Sequence, residues 1–119
     1  MGMTEVRVRL ANLANPSRFA EVNLVVDPGA IYSVVQAGVL RRIGVRPRET
    51  QTFGLADGRS VRREIADVRY AIADRSGAAP VIFGRRGDAS LLGVVTLEAL
   101  GLQLDPLRRH LRPLRLMIA

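Results

Sequence analysis

Residues 25–35 read Val25-Val26-Asp27-Pro28-Gly29-Ala30-Ile31-Tyr32-Ser33-Val34-Val35. An apolar run closes on a carboxylate, a proline and a glycine follow, and the chain turns apolar again. Asp-Pro-Gly is good turn chemistry, because Asp can bond its own backbone and Gly tolerates a tight bend. An ordinary surface turn therefore explains the triplet taken alone. It does not explain why "IYSVV" follows at once with the character of a buried segment.

Outward from this stretch the chain reads as mostly strand. In "EVRVRL", Val6, Val8 and Leu10 alternate with Glu5, Arg7 and Arg9, the period-2 pattern of a half-buried strand. "EVNLVVD" repeats the pattern, and the Asn-Pro-Ser turn between them predicts a hairpin. "VQAGVLRRIG" predicts a brief helix stopped by Gly44. "ETQTFGLADGRSVRREI" predicts two strands around Asp57-Gly58, a dipeptide suited to a tight hairpin. "ADVRYAIAD" alternates as a further strand, "SGAAP" reads as a turn and "VIF" as a short buried strand. "VVTLEAL" has helical character with Gly101 as its cap. "LQL" and "HLRPLRLMI", around Asp105-Pro106, predict a last hairpin, with Pro113 at an edge or end. Many short strands between regular turn signals predict one mainly all-β domain over residues 1–119, a compact sandwich or closed barrel carrying one or two short helices.

Composition narrows the function classes. The chain has 119 residues, 48% of them hydrophobic, no cysteine and a formal net charge of +7. That balance is globular. It excludes disulfides and thiolate metal sites, and with a single histidine it argues against zinc. All 18 basic residues are arginine. They are scattered and aromatics are only 4%, so the interleaving that a nucleic-acid surface uses is missing and nucleic acid is not the expected partner. No apolar run approaches the ~18 residues of a membrane span. The start "MGMTEVRVRL" alternates charge where a signal peptide would be apolar. A cytoplasmic location is the expectation, and no membrane partner, metal or cofactor is anticipated.

Three segments together resemble the retropepsin-like aspartic proteases, most closely their small single-domain bacterial and archaeal type. The active-site strand of that family runs apolar-apolar-Asp-Thr/Ser-Gly-Ala, similar to Val25-Val26-Asp27-Pro28-Gly29-Ala30. Its later apolar-apolar-Gly element, which opens a helix, is similar to Leu91-Leu92-Gly93. The hairpin Leu55-Ala56-Asp57-Gly58-Arg59 falls where the family has its flap, and the "TLEALGLQLDP" ending also looks like that clan. The resemblance covers nearly the whole chain in the right order. It implies a retropepsin-like barrel, Asp27 as the catalytic carboxylate, Pro28, Gly29 and Ala30 as the active-site loop, residues 55–59 as the flap, and a peptide or protein substrate.

Aspartic proteolysis needs two carboxylates close enough to share one proton. One takes a proton from the attacking water while the other protonates the carbonyl oxygen. This chain has one Asp-x-Gly. The second carboxylate must then come from Asp27 of another copy across a two-fold axis, which makes a homodimer the expected working form. The departure from the family is Pro28, where Thr or Ser makes a cross-axis hydrogen bond. Proline brings neither a hydroxyl nor an N–H. A second reading therefore stands beside the peptidase: a retropepsin-like module of reduced or lost catalysis that binds peptides or serves assembly. An unrelated basic β module is a third.

Other residues have simpler readings. His110, in an Arg-rich turn, reads as solvated surface. Ser33 has no histidine partner for nucleophilic work. Tyr32, Phe53, Tyr70 and Phe83 read as core. Arg62-Arg63, beside the flap, could favour acidic substrates, and Arg85-Arg86 could meet an acidic partner. The apolar C-terminal segment "LRLMIA" reads as an interface strand.

Overall fold

The computed structural model describes residues 3–114. Strand β1 (Glu5–Ala11) and strand β2 (Phe19–Val26) form the expected antiparallel hairpin, Val8 opposite Val22. Asn12 closes its loop, its Oδ1 accepting the N–H groups of Ala14 and Asn15. The alternation read from sequence is the burial pattern: Val8, Leu10, Leu24 and Val26 all lie in the core.

Strand β3 (Ser33–Gln36) leads into helix α1 (Ala37–Arg42). Gly44, at φ +79°, ends that helix with its N–H on the Arg41 carbonyl, the left-handed stop that glycine allows. Strands β4 (Glu49–Gly54) and β5 (Ser60–Ile72) make the long hairpin around Asp57-Gly58. β5 does not break before "ADVRYAIAD"; the two expected strands are one of 13 residues.

The next turn is displaced from its expected place. It falls at Ala73-Asp74, with Ala73 at φ +53°, and "SGAAP" belongs to strand β6 (Arg75–Gly84). Gly77 and Ala79 are small for packing: Ala79 is buried, and a Cβ on Gly77 would lie 3.0 Å from the Ala99 carbonyl oxygen. Strand β7 (Leu91–Leu92), helix α2 (Val94–Ala99), strand β8 (Leu102–Asp105) and strand β9 (His110–Pro113) complete the chain. β8 and β9 pair as a separate hairpin, and Pro113 closes its second strand. Residues 115–119 of the proposed interface segment lie outside the described residues.

The main sheet is mixed and seven-stranded, in the order β1-β2-β7-β3-β6-β5-β4, and it curls so that β1 also meets β5 over three pairs. This corrects the regular closed barrel or sandwich expected from strand count. β5 is long enough to serve two neighbours, so β1 takes its C-terminal end while β4 pairs with its N-terminal half alone. The core inside the curl is aliphatic, with Tyr70 fully buried and its hydroxyl donating to the Pro80 carbonyl at 2.9 Å. Burial pushes the Tyr70 phenol up to about 12. No helix among the described residues is long and apolar enough to cross a membrane.

Candidate functional site

Asp27 follows the last residue of β2, at the point where β2 runs parallel to β7. Its N–H donates to the Leu92 carbonyl at 3.0 Å, and the preceding Val26 N–H donates to Thr4 at 2.7 Å. The carboxylate folds over its own turn: Oδ1 accepts the Gly29 N–H at 2.9 Å, and the Asp27 carbonyl accepts the Ala30 N–H at 3.1 Å. The Asx closure read from sequence is therefore present, but the turn is anchored on both sides by buried strand. Asp27 and Ala30 are half-buried, and Pro28 and Gly29 are exposed at the tip.

The second anchor is the approach of residues 30–33 to Gly93. The Ala30 and Ile31 carbonyls accept the N–H groups of Val94 and Val95 at 2.9 and 3.0 Å. A Cβ on Gly93 would stand 2.6 Å from the Tyr32 carbonyl carbon and 2.7 Å from the Ile31 oxygen. Only glycine admits two backbones that close. Beneath them Ser33, fully buried, accepts the Gly93 N–H at 2.9 Å and shares a 2.6 Å hydrogen bond with buried Thr96. The end of β2 and the start of β3 thus meet the β7–α2 junction, about sixty residues on, at the carboxylate loop.

The hairpin expected as a flap stands across a groove of about 660 Å³ from this loop. One wall is Gly29 to Tyr32, the other Gln51 to Leu55 with Val61, and the floor includes Val34, Ile82 and Leu91. Of the five flap residues, Leu55 lines the groove, while Ala56, Asp57, Gly58 and Arg59 lie exposed beyond it. Asp57 has the turn role assigned to it, accepting the Arg59 N–H at 3.0 Å, and Gly58 adopts φ +87°. Asp27 itself is not part of the groove wall in a single chain; its neighbours Gly29 and Ala30 are.

Two expectations are corrected here. Tyr32 and Phe53 are not core. Each lines the groove, and their rings meet edge to face at 6.3 Å, joining the carboxylate loop to the hairpin. Arg63 is not free to meet a substrate charge. Its Nε and Nη2 clasp Asp88 at 2.8 and 3.0 Å, a bidentate pair. The Arg63 guanidinium is the main cause holding the Asp88 carboxyl below the usual carboxylate value. Sequence reasoning did not single out Thr96 or Asp88. Thr96 sits in an apolar helix with no pattern to mark it. Asp88 carried a faint signal, as the acid that ends the turn "RRGD". His110 is exposed, as expected.

Among the described residues no group of three or more His, Asp or Glu side chains is placed to hold a metal ion. Compared with known proteins, the sequence matches no family model and no curated protein.

Proposed function

We propose that this chain is one half of a homodimeric, retropepsin-like aspartic endopeptidase. Asp27 and Asp27 of a second copy share one proton across a two-fold axis and activate a water against a peptide carbonyl. The observation that carries the reading is the seating of Asp27. At a strand end the Asp27 backbone N–H is held by the Leu92 carbonyl and its carboxylate by the Gly29 N–H, beside a mainly apolar groove faced by a hairpin. Ile31 is 65% exposed next to that carboxylate and Leu55 is 39% exposed at the hairpin. Apolar side chains in those places suit contact with a peptide or a second subunit better than contact with water.

In this mechanism the Gly29 N–H fixes one carboxylate oxygen, leaving the other to reach the partner and the water. Tyr32 and Phe53 hold loop and hairpin together, and the hairpin covers the peptide and excludes bulk solvent.

Pro28 favours a second reading. It stands exposed at the tip of the loop with no hydroxyl to bond across an axis. The same groove then holds peptides without cleaving them. One experiment separates the two: incubation with a diverse peptide library from acidic to neutral pH, for the native chain and Asp27→Asn. Cleavage that rises steeply with protein concentration and is lost in the variant supports the enzyme. Binding without cleavage supports the module.

A further inference from the structure

A second concavity, of about 500 Å³, lies between the start of α1, Glu64 of β5 and the end of β6 with Arg85 and Arg86. Its lining carries Arg41, Arg85 and Arg86 against one carboxylate, Glu64. Glu64 meets Arg41 only at 3.7 Å, and both are substantially exposed. Arg85 and Arg86 are exposed, and neither guanidinium makes an ion pair with a carboxylate among the described residues. Asp88, three residues after Arg85, carries a further negative charge. Its oxygens are taken by Arg63 and by the Arg85 backbone N–H at 2.8 Å. The pocket therefore keeps an excess of positive charge.

The loop 85–88 is a fixed partition and not a loose strand connection. The Asp88 N–H donates to the Arg85 carbonyl at 2.9 Å, Gly87 takes φ +93°, and the Gln36 amide donates to the Asp88 carbonyl at 2.9 Å. Asp88 and Ala89 line the groove on one side, and Arg85 and Arg86 line the pocket on the other. Neighbouring residues of β5 divide in the same way, Arg63 to the groove and Glu64 to the pocket.

We propose that this pocket seats a carboxylate side chain of the peptide whose apolar side chains lie in the groove, so that the ligand is an apolar peptide carrying an acidic residue to one side. The inference rests on the reading of the groove as a peptide site, and holds whether or not the peptide is cleaved. Exposed ion pairs are individually weak. Three arginines against one carboxylate, Glu64, give an expected preference of about threefold to tenfold, reduced by salt.

The test uses the full chain as Asp27→Asn, so that any peptide stays intact, and reads fluorescence anisotropy. Labelled peptides share one apolar centre and carry Glu-Glu or Gln-Gln about three to six residues to either side. The Glu peptide should bind more tightly on one side only, and the advantage should shrink at high salt. It should vanish in Arg85→Ser/Arg86→Ser and persist in Arg46→Ser/Arg69→Ser, which removes equal charge elsewhere. Arg86→Glu, a single exposed change that leaves two arginines against two carboxylates, should by itself abolish the advantage of the Glu peptide. Equal binding of Glu and Gln peptides, or an advantage that survives the loss of Arg85 and Arg86, overturns the pocket and leaves the groove standing. Binding of no peptide at all overturns both.

Discussion

Ser33 Oγ and Thr96 Oγ1 lie 2.6 Å apart, fully buried, across 63 residues of sequence. Ser33 also accepts the Gly93 N–H, so one hydroxyl ties the strand after the Asp27 loop to the helix behind it. Ser33→Ala takes the acceptor from the buried Gly93 N–H and one partner from Thr96 Oγ1, and should cost about 1–3 kcal/mol. Thr96→Val should cost less, because the Gly93 N–H keeps its acceptor. The double variant should lose less than the sum of the singles, since the shared bond is removed once. Urea denaturation of the four chains measures this; strict additivity would mean the two hydroxyls act independently.

Gly93→Ala should be among the most damaging single-methyl changes in the chain. The added carbon meets the backbone of Ile31 and Tyr32 at under 3 Å, and backbone cannot rotate aside as a side chain can. Overpacking of this kind costs about 1–3 kcal/mol or more. The urea midpoint should fall, and peptide binding in the groove should weaken beyond what the lost stability explains. An unchanged midpoint would show that the crossing is looser than its geometry.

Asp27→Asn should keep the fold, because the amide Oδ1 can still accept the Gly29 N–H. Peptide cleavage should disappear, and the native chain's activity should peak on the acid side of neutrality, where a carboxylate pair holds a single proton. Mixing gives a sharper test of a shared site. Excess Asp27→Asn chain added to the native chain should depress activity by forming pairs with one carboxylate missing. Activity indifferent to the added variant would place the whole reaction in one chain.

Arg63 and Asp88 set part of the acid limit of stability. The folded Asp88 carboxyl is held below its ordinary value, chiefly by its hydrogen bonds with Arg63. As pH falls below about 4 the unfolded chain takes up this proton first. The stabilisation is thus complete above that pH and is lost as pH falls through the lower folded value. Glu21, held down chiefly by its hydrogen bond with Arg9, and Asp105, held chiefly by the Arg108 N–H, act in the same direction. Asp88→Asn should lower stability at neutral pH by on the order of 1–2 kcal/mol and make its fall in acid shallower. Denaturation curves between about pH 2.5 and 6 would decide it; parallel curves for the two chains would remove Asp88 from the account.

Pro28→Thr should strengthen association. Two symmetric hydrogen bonds across an axis contribute about 1–3 kcal/mol, so the dimer dissociation constant should fall about tenfold or more. Sedimentation of both chains at one pH and salt gives the comparison. Equal or weaker association in the variant would mean that the loop tips do not face one another.

Most of the element order was legible because hydrophobic alternation and turn residues agree locally. Val8, Leu10 and Leu24 announced their burial by period, and Gly44 and Gly101 announced helix ends. The turn at Ala73-Asp74 was hidden because an alanine supplies the positive φ, while the Gly and Ala of β6 imitate a turn when they serve close packing. The curl of the sheet was illegible for another reason. Whether β5 serves one partner or two depends on its bending, which no local pattern records. At the site, Asp27 and the hairpin residues 55–59 stood out as motifs. The Ser33–Thr96 bond and the Arg63–Asp88 clasp join residues that only the tertiary fold makes neighbours.

The parallel contact of β2 with β7 also has a consequence for how the protein is made. The Asp27 loop takes its shape from Leu92, Gly93 and Thr96, and sixty residues separate Gly93 from Ser33. A growing chain can close the β1–β2 and β4–β5 hairpins early, since their contacts are local and quick to form. The carboxylate loop lacks its support from β7 and α2 until residues 91–96 have left the ribosome. Closing so long a stretch of chain is slow in entropy terms. A chain interrupted before Leu91 therefore carries Asp27 without the Leu92 and Gly93 part of its seat.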